Sequence, residues 1–152
     1  MKEDIDRHYP KLADAGYIIT SEETPVYNCI AWAAGDTNRW WECGADGPIE
    51  EPGVYWPEGA RYGFGLEALI SAFEVIGYKL CLDGGPGPEE GYDRIALNAE
   101  GGEWRHAARL LKDGRWSSKL GDLEDASHEA PGDVCGRYNG ELACFMRRVI
   151  QP

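Results

Sequence analysis

The sequence predicts an α+β fold, in which helices near the N-terminus pack on one side of an antiparallel sheet. Apolar residues recur at three- and four-residue steps in the first half of the chain, which is the period of a helix. From residue 78 onward the period changes to two, which is typical of strands. Helices followed by a run of strands favour this class. The 152 residues and 43% hydrophobic content fit a single domain over 1–152.

The N-terminal part of the chain predicts an arm and two helices. Residues 1–16 are polar, contain a proline, and are interpreted as a peripheral arm. Asn28 is a good N-cap residue and Gly35 a good C-terminal stop, so a short helix is expected over 28–35. The clearest helix is predicted over 66–77, where the apolar residues follow the helical period up to a terminal glycine.

The rest of the chain predicts a sheet over 78–148. Regions rich in glycine and proline at 35–65 and 83–93 are expected to form irregular loops. Five strands follow from alternating apolar residues, at 78–82, 93–99, 106–111, 116–120 and 141–148.

Charge and cysteine content restrict the possible partners. The net charge of −12 disfavours nucleic acid and anionic membranes, which require positive surface, and is compatible with a basic protein partner. The sequence has no transmembrane segment or secretion signal and predicts a cytoplasmic protein, with signal-independent export left open. Five cysteines, an odd number, favour a reducing compartment. They form no metal-binding pattern with the histidines, so neither a metal nor a cofactor is expected.

Cys29 is the leading candidate nucleophile. It directly follows the predicted N-cap and therefore lies in the first turn of a helix, where free backbone amides favour a thiolate. The alternative is that Cys29 is a buried structural cysteine, which is common for this residue type.

His106 is the candidate base, because it opens a predicted strand after a glycine-rich turn. His8 and His128 are interpreted as surface residues. If the 112–114 turn is a three-residue loop, Ser118 shares a face with His106 and can fix its tautomer. A two-residue turn brings Ser117 and Lys119 to that face instead, so the third catalytic residue remains open among these three and His128.

Four of the six tryptophans lie in or beside predicted loops and are candidates for a substrate-binding wall. Aromatic side chains form such walls but also fill small cores, and the sequence does not separate the two roles. These residues are Trp40, Trp41, Trp56 and Trp104.

The segments NCIAWA at 28–33 and DRIALNAEGGEWRHAARLLKDGRWSSKLG at 93–121 resemble the papain-like fold of the bacterial NlpC-type cysteine amidases and peptidases. That family has a cysteine at a helix start, followed by a small antiparallel sheet carrying a histidine and a third polar residue. The resemblance implies that Cys29 is the nucleophile, His106 the base and Ser118 the third residue. Asn28 departs from the aspartate usual before the cysteine, and the aromatic segment at 40–62 is foreign to the typical member.

A second resemblance is closer in sequence but implies no activity. The strings YNCIAWAAG, YWP, HAAR, WSSKLG and FMRR are similar to those of a group of small bacterial proteins of unassigned function. The leading hypothesis is therefore a cysteine hydrolase that cleaves an amide bond in a peptide or peptidoglycan fragment. The alternatives are an acidic binding or immunity-type protein that blocks a basic partner, and an acyltransferase that uses the same cysteine and histidine.

Overall fold

The computed structural model describes residues 1–82 and 84–151. Asp83, which begins the predicted loop at 83–93, and Pro152 lie outside the described residues. The helices are α1 (Lys2–His8), α2 (Pro10–Ala15), α3 (Cys29–Ala34) and α4 (Leu66–Val75), with a 3₁₀ helix at Pro131–Val134. The strands are β1 (Tyr17–Ile19), β2 (Trp40–Trp41), β3 (Val54–Tyr55), β4 (Lys79–Cys81), β5 (Tyr92–Glu100), β6 (Glu103–Leu110), β7 (Trp116–Lys119), β8 (Asp125–His128) and β9 (Glu141–Val149).

Seven of the strands form one sheet, in the order β1-β8-β7-β6-β5-β9-β4. Every neighbouring pair in it is antiparallel, which confirms the α+β class with an antiparallel sheet. Strands β5 to β8 follow one another directly, because tight turns join consecutive antiparallel neighbours. Strands β2 and β3 form a separate parallel pair.

Helices α3 and α4 cover one face of the sheet. Ile30 of α3 and Phe73 of α4 are fully buried in a cluster with Ile95, Leu97 and Ala107 of the central strands. This burial holds the start of α3 against β6. Among the described residues, no helix is long and apolar enough to cross a membrane.

Helices α1 and α2 cover the opposite face, so the expectation that helices lie on one side only is wrong. Ile5 and Leu12 are fully buried against Leu120, Ala126 and Val134. Ala126 alternates along β8 with Ser127, whose cross-strand partner Ser117 faces α3. The two apolar side chains of this polar segment therefore pack on the far side of the sheet from α3.

Two hairpins position β6. Gly101 and Gly102, both at positive φ, close the β5–β6 turn, which is the backbone that a two-residue turn of this kind requires. The β6–β7 turn is the three-residue loop expected from the sequence, since Leu111 pairs with Arg115 and Gly114 has a φ of +88°. Leu110 consequently pairs with Trp116, the register that the hydrophobic matching predicted.

Strand β8 is absent from the predicted strands, and its prediction as a loop with a surface histidine is wrong. All four residues of β8 are buried, and His128 has no exposed surface. The sequence signal is missing because the strand is short and mostly polar. Hydrogen bonds to Ser127 and His128, and not apolar packing, accompany the burial of these side chains.

Candidate active site

Cys29 is the first residue of α3, and Asn28 fixes the start of that helix. The Asn28 Oδ1 accepts from the backbone N–H groups of Ala31 and Trp41, both at 3.1 Å, and its Nδ2 donates to the Trp41 carbonyl at 2.8 Å. Asn28 therefore caps the helix as predicted and also ties it to β2. An aspartate could not make the donated bond, which explains why asparagine stands here.

The Cys29 sulfur lies against β6. The backbone amide of Ala107, the residue after His106, is near enough to act on the sulfur and to oppose the rise in its pKa. Strands β6 and β7 pair only at Arg109 and Leu110, so beyond that point the Ala107 amide is free to meet the sulfur.

The environment of Cys29 differs from the thiolate that the sequence predicted. The residue as a whole is half-buried, but its sulfur is enclosed, and this burial raises the pKa of the thiol to about 11. Hydrogen bonds from the backbone amides of Ala107, Ile30 and Cys29 oppose that shift without cancelling it. At neutral pH the group is therefore a thiol.

His106 is buried and hydrogen-bonded to Ser118. Its Nε2 lies 3.0 Å from the Ser118 Oγ, as the predicted hairpin register requires. Its Nδ1 is buried without a hydrogen-bond partner in the described structure. Burial lowers the pKa of His106 to about 3, and the neighbouring His128 adds to that shift, so the imidazole is neutral.

His128 extends this contact into a chain of hydrogen bonds. The Ser118 Oγ lies 2.8 Å from the His128 Nε2, and the His128 Nδ1 lies 2.8 Å from the Ala130 carbonyl oxygen. Burial lowers the pKa of His128 as well, so this ring is also neutral at neutral pH.

This series of hydrogen bonds has one consistent arrangement of protons. The Ala130 carbonyl can only accept, so the His128 Nδ1 carries its proton and the His128 Nε2 accepts from the Ser118 hydroxyl. The Ser118 oxygen then accepts from the His106 Nε2–H. The remaining nitrogen, the His106 Nδ1, is left with a free lone pair. The site therefore holds His106 as the tautomer whose unpartnered nitrogen is a base.

The other two candidates for the third position lie on the α3 face of the sheet. The Ser117 Oγ accepts from the Trp32 indole at 3.0 Å. Lys119 is fully buried, and its Nζ donates to the carbonyls of Thr24 at 2.9 Å and Gly121 at 2.6 Å. The Lys119 charge acts to lower the pKa of Cys29, whereas Ser118 alone among these candidates contacts His106.

The four tryptophans do not form one wall. Trp41 and Trp56 are buried in the core, and their indoles donate to Asp36 and to the Arg61 carbonyl. Trp104 stacks on Trp56 at a centroid distance of 5.9 Å. Trp40 differs, because it lines an open pocket of about 490 Å³ together with Pro25, Val26 and Glu42. The positions of Trp41, Trp56 and Trp104 suit packing in the core, whereas that of Trp40 suits a binding role.

His8 lies exposed on α1, where its Nδ1 is 3.4 Å from the Tyr138 hydroxyl. The structure brings together His106, Ser118 and the unexpected His128 by hydrogen bonds. Their neighbours Ala107 and Ser117 face α3, so these three side chains point to the opposite face of the sheet, and Cys29 approaches them only at the Ala107 amide. Within residues 1–82 and 84–151, no group of three or more histidine, cysteine, aspartate or glutamate side chains could hold a metal ion.

Comparison with known families places this geometry in a group without an assigned activity. The family model DUF7689, described as a domain of unknown function, matches residues 18–147. The chain belongs to the DUF7689 family. The match includes Asn28, Cys29, His106, Ser118 and His128, whereas His8 lies outside it. No curated protein and no solved structure matches the chain significantly.

Proposed function

We propose that the protein is a cysteine hydrolase of papain-like, NlpC-type architecture that cleaves an amide bond in a peptide or peptidoglycan fragment. The observation that carries the proposal is the unpartnered Nδ1 of His106. The hydrogen-bonded series Ala130, His128 and Ser118 keeps that nitrogen unprotonated, and His106 is the residue before Ala107, whose amide acts on the Cys29 thiol.

In the first step, the Cys29 sulfur attacks the substrate carbonyl carbon while its proton moves to the His106 Nδ1. The transfer must be concerted with the attack, because a thiol with a pKa of about 11 and a histidine with a pKa of about 3 do not form a thiolate and imidazolium pair at rest. The Cys29 backbone N–H and the Lys119 charge then stabilise the negative charge that develops.

In the second step, the imidazolium of His106 gives its proton to the leaving amine, and an acyl group remains on the sulfur. Water then attacks the thioester carbonyl while His106 accepts a proton of that water, the carbon–sulfur bond breaks, and His106 returns the proton to the Cys29 sulfur as the carboxylic acid leaves. If an amine or alcohol takes the place of water, the same site performs acyl transfer. The pocket beside Trp40 receives a side chain of the substrate, because Trp41 ties its rim to Asn28.

Mass spectrometry of peptide and peptidoglycan-fragment mixtures tests this function. Wild-type protein is expected to release amide-cleavage products, and Cys29→Ala is expected to release none. His106→Gln should lower the rate about 10²–10⁴-fold, the usual contribution of a general base. Cys144→Ala, a change at another half-buried cysteine, is the matched control and should retain full activity. Equal product formation by wild type and Cys29→Ala would contradict the proposal.

A second candidate is an acidic binding protein that blocks a basic partner. Two observations favour it: the net charge of −12, and the enclosure of both Cys29 and His106 as neutral groups. It predicts a complex that weakens as salt rises and that survives Cys29→Ala unchanged.

The cysteines support a reducing compartment such as the cytoplasm as the place of action. All five are free, with Cys43 and Cys135 buried and the other three half-buried. Exposure to an oxidising environment would be expected to select for paired cysteines.

A further inference from the structure

A cavity of about 420 Å³ lies between the junction of α1 and α2 and the loop that follows the 3₁₀ helix. Neither the catalytic proposal nor the sequence patterns assign it a role. Its walls combine positively charged and aromatic side chains, namely Arg7, His8, Tyr9, Lys11, Arg137 and Tyr138.

The charge of this cavity is opposite to that of the molecule. Arg7, Lys11 and Arg137 line it, and no aspartate or glutamate does, although the chain carries a net charge of −12. Arg7 pairs with Asp4 at 2.6 Å. Lys11 and Arg137 take part in none of the ion pairs within the described residues, so their charges are available to a ligand.

The aromatic side chains form a platform beside these charges. Tyr138 contacts His8 edge to face at 5.4 Å and lies 5.9 Å from Tyr9, while the guanidinium of Arg137 sits 5.5 Å from the Tyr138 ring centre. Tyr138 is 44% exposed, so one part of its ring is open to a planar group.

The cavity is linked to β5, which pairs with the strand that carries His106. On the wall formed by α1 and α2, burial raises the pKa of Tyr9 to about 12, and Cys29 adds to that shift. On the other wall, the Cys135 sulfur accepts from the Asn98 amide at 3.8 Å, and Asn98 is the cross-strand partner of His106.

We propose that this cavity binds the anionic end of the substrate, a carboxylate or a phosphate carried next to a planar or apolar group. Lys11 and Arg137 bind the charge, and Tyr138 contacts the group that carries it. The inference rests on the proposed hydrolase function for its link to Cys29, but binding in the cavity is measurable without catalysis.

Nuclear magnetic resonance titration of the full-length protein tests the cavity with small probes. Benzoate and phenyl phosphate are expected to shift the amide signals of residues 7–11 and 134–138. Benzamide, which has the shape of benzoate but no charge, should bind at least about tenfold more weakly, because charge-assisted hydrogen bonds are lost. Comparison of benzoate with phenyl phosphate decides which anion the cavity prefers. Equal binding of benzoate and benzamide overturns the proposal, as does a benzoate response outside these two segments.

Charge-neutralising variants assign the binding to named residues. The double change Lys11→Gln and Arg137→Gln should abolish the preference for benzoate over benzamide, whereas Lys79→Gln, at an exposed position on the far edge of the sheet, should leave it unchanged. A preference that survives the double change overturns the proposal. Cys29→Ala should bind benzoate as wild type does, so loss of catalysis and loss of binding are distinguishable results.

Discussion

At the residue scale, the site depends on one serine hydroxyl that serves two histidines. The Ser118 Oγ donates to His128 and accepts from His106, and within the described residues no other side chain is hydrogen-bonded to both rings. A residue of this kind determines a tautomer and touches no substrate, so its role is positioning.

Ser118→Ala is expected to release the tautomer of His106. The change leaves the His106 Nε2 and the His128 Nε2 buried without a partner, at a cost of about 1–3 kcal/mol for each group. We expect nitrogen-15 chemical shifts to show an unprotonated Nδ1 on His106 in wild type and a mixture of tautomers in the variant. Ser117→Ala, which removes only the bond to Trp32, is the control and should keep the wild-type pattern. An unchanged His106 spectrum in Ser118→Ala would contradict the positioning role.

Asn28→Asp is expected to destabilise the start of α3 although aspartate is an equally good N-cap residue. The carboxylate would replace a donor with an acceptor facing the Trp41 carbonyl at 2.8 Å. We expect a loss of about 1–3 kcal/mol in the free energy of unfolding, measured by urea denaturation. Asn38→Asp, the same change at an exposed position, is the control and should change stability by less than about 0.5 kcal/mol. An Asn28→Asp variant as stable as wild type would show that the donated bond contributes nothing.

At the scale of elements, the sequence predicts what periodicity and turn residues determine. Helices α3 and α4, the β6–β7 loop and the Leu110 to Trp116 register follow from caps, apolar spacing and Gly114. The sequence thus predicts both helix α3, which begins at Cys29, and the contact between His106 and Ser118.

Other elements have no such signal. Strand β8 is polar, and its burial accompanies long-range hydrogen bonds that one sequence does not reveal. The sequence therefore does not predict that His128 is buried next to Ser118. Helices α1 and α2 are seven and six residues long and carry one buried side chain each, too few to establish a helical period. The raised pKa of Cys29 likewise depends on how the other elements enclose the sulfur.

Leu12→Ala tests whether α2 is part of the core. Leu12 is fully buried against Leu120 and Val134, so truncation should lower the free energy of unfolding by about 2–5 kcal/mol. Thermal and urea unfolding measure the loss. Asp14→Ala, at an exposed position of the same helix, should change stability by less than about 0.5 kcal/mol. A Leu12→Ala variant that unfolds like Asp14→Ala would mean that α2 is only peripheral in solution.

At the scale of the whole molecule, the buried histidines make stability depend on pH. The pKa of an unfolded histidine is about 6.5, whereas that of folded His106 is about 3 and that of His128 is also lowered. Below about pH 6.5 the unfolded chain therefore binds more protons, and the free energy of unfolding falls as the pH falls. The contribution of these groups is fully present above that pH.

Urea unfolding between pH 7 and pH 5 measures this dependence. Each histidine that stays neutral adds a slope that approaches about 1.4 kcal/mol per pH unit. His106→Gln should reduce the slope by about one such increment, while His8→Gln, at an exposed position, should not. A wild-type slope equal to that of His106→Gln would contradict the neutral, buried state of His106.

The pairing of Cys29 with His106 links the fold to the proposed activity, and the pH dependence of Cys29 alkylation tests it most directly. With His106 as the base, the rate for wild-type protein should be nearly constant between pH 5 and pH 9, because a neutral thiol passes its proton to a neutral imidazole in the same step. In His106→Gln only the thiolate reacts, so the rate should rise about tenfold per pH unit.

Peptide mass spectrometry after iodoacetamide treatment gives the rate at each cysteine. Cys144 is the internal reference, since burial also raises its pKa to about 11, and its rate should rise with pH in both proteins. A flat profile at Cys29 in wild type and a rising one in His106→Gln is the result we expect. The same steep rise at Cys29 in both proteins would show that His106 does not act on the thiol.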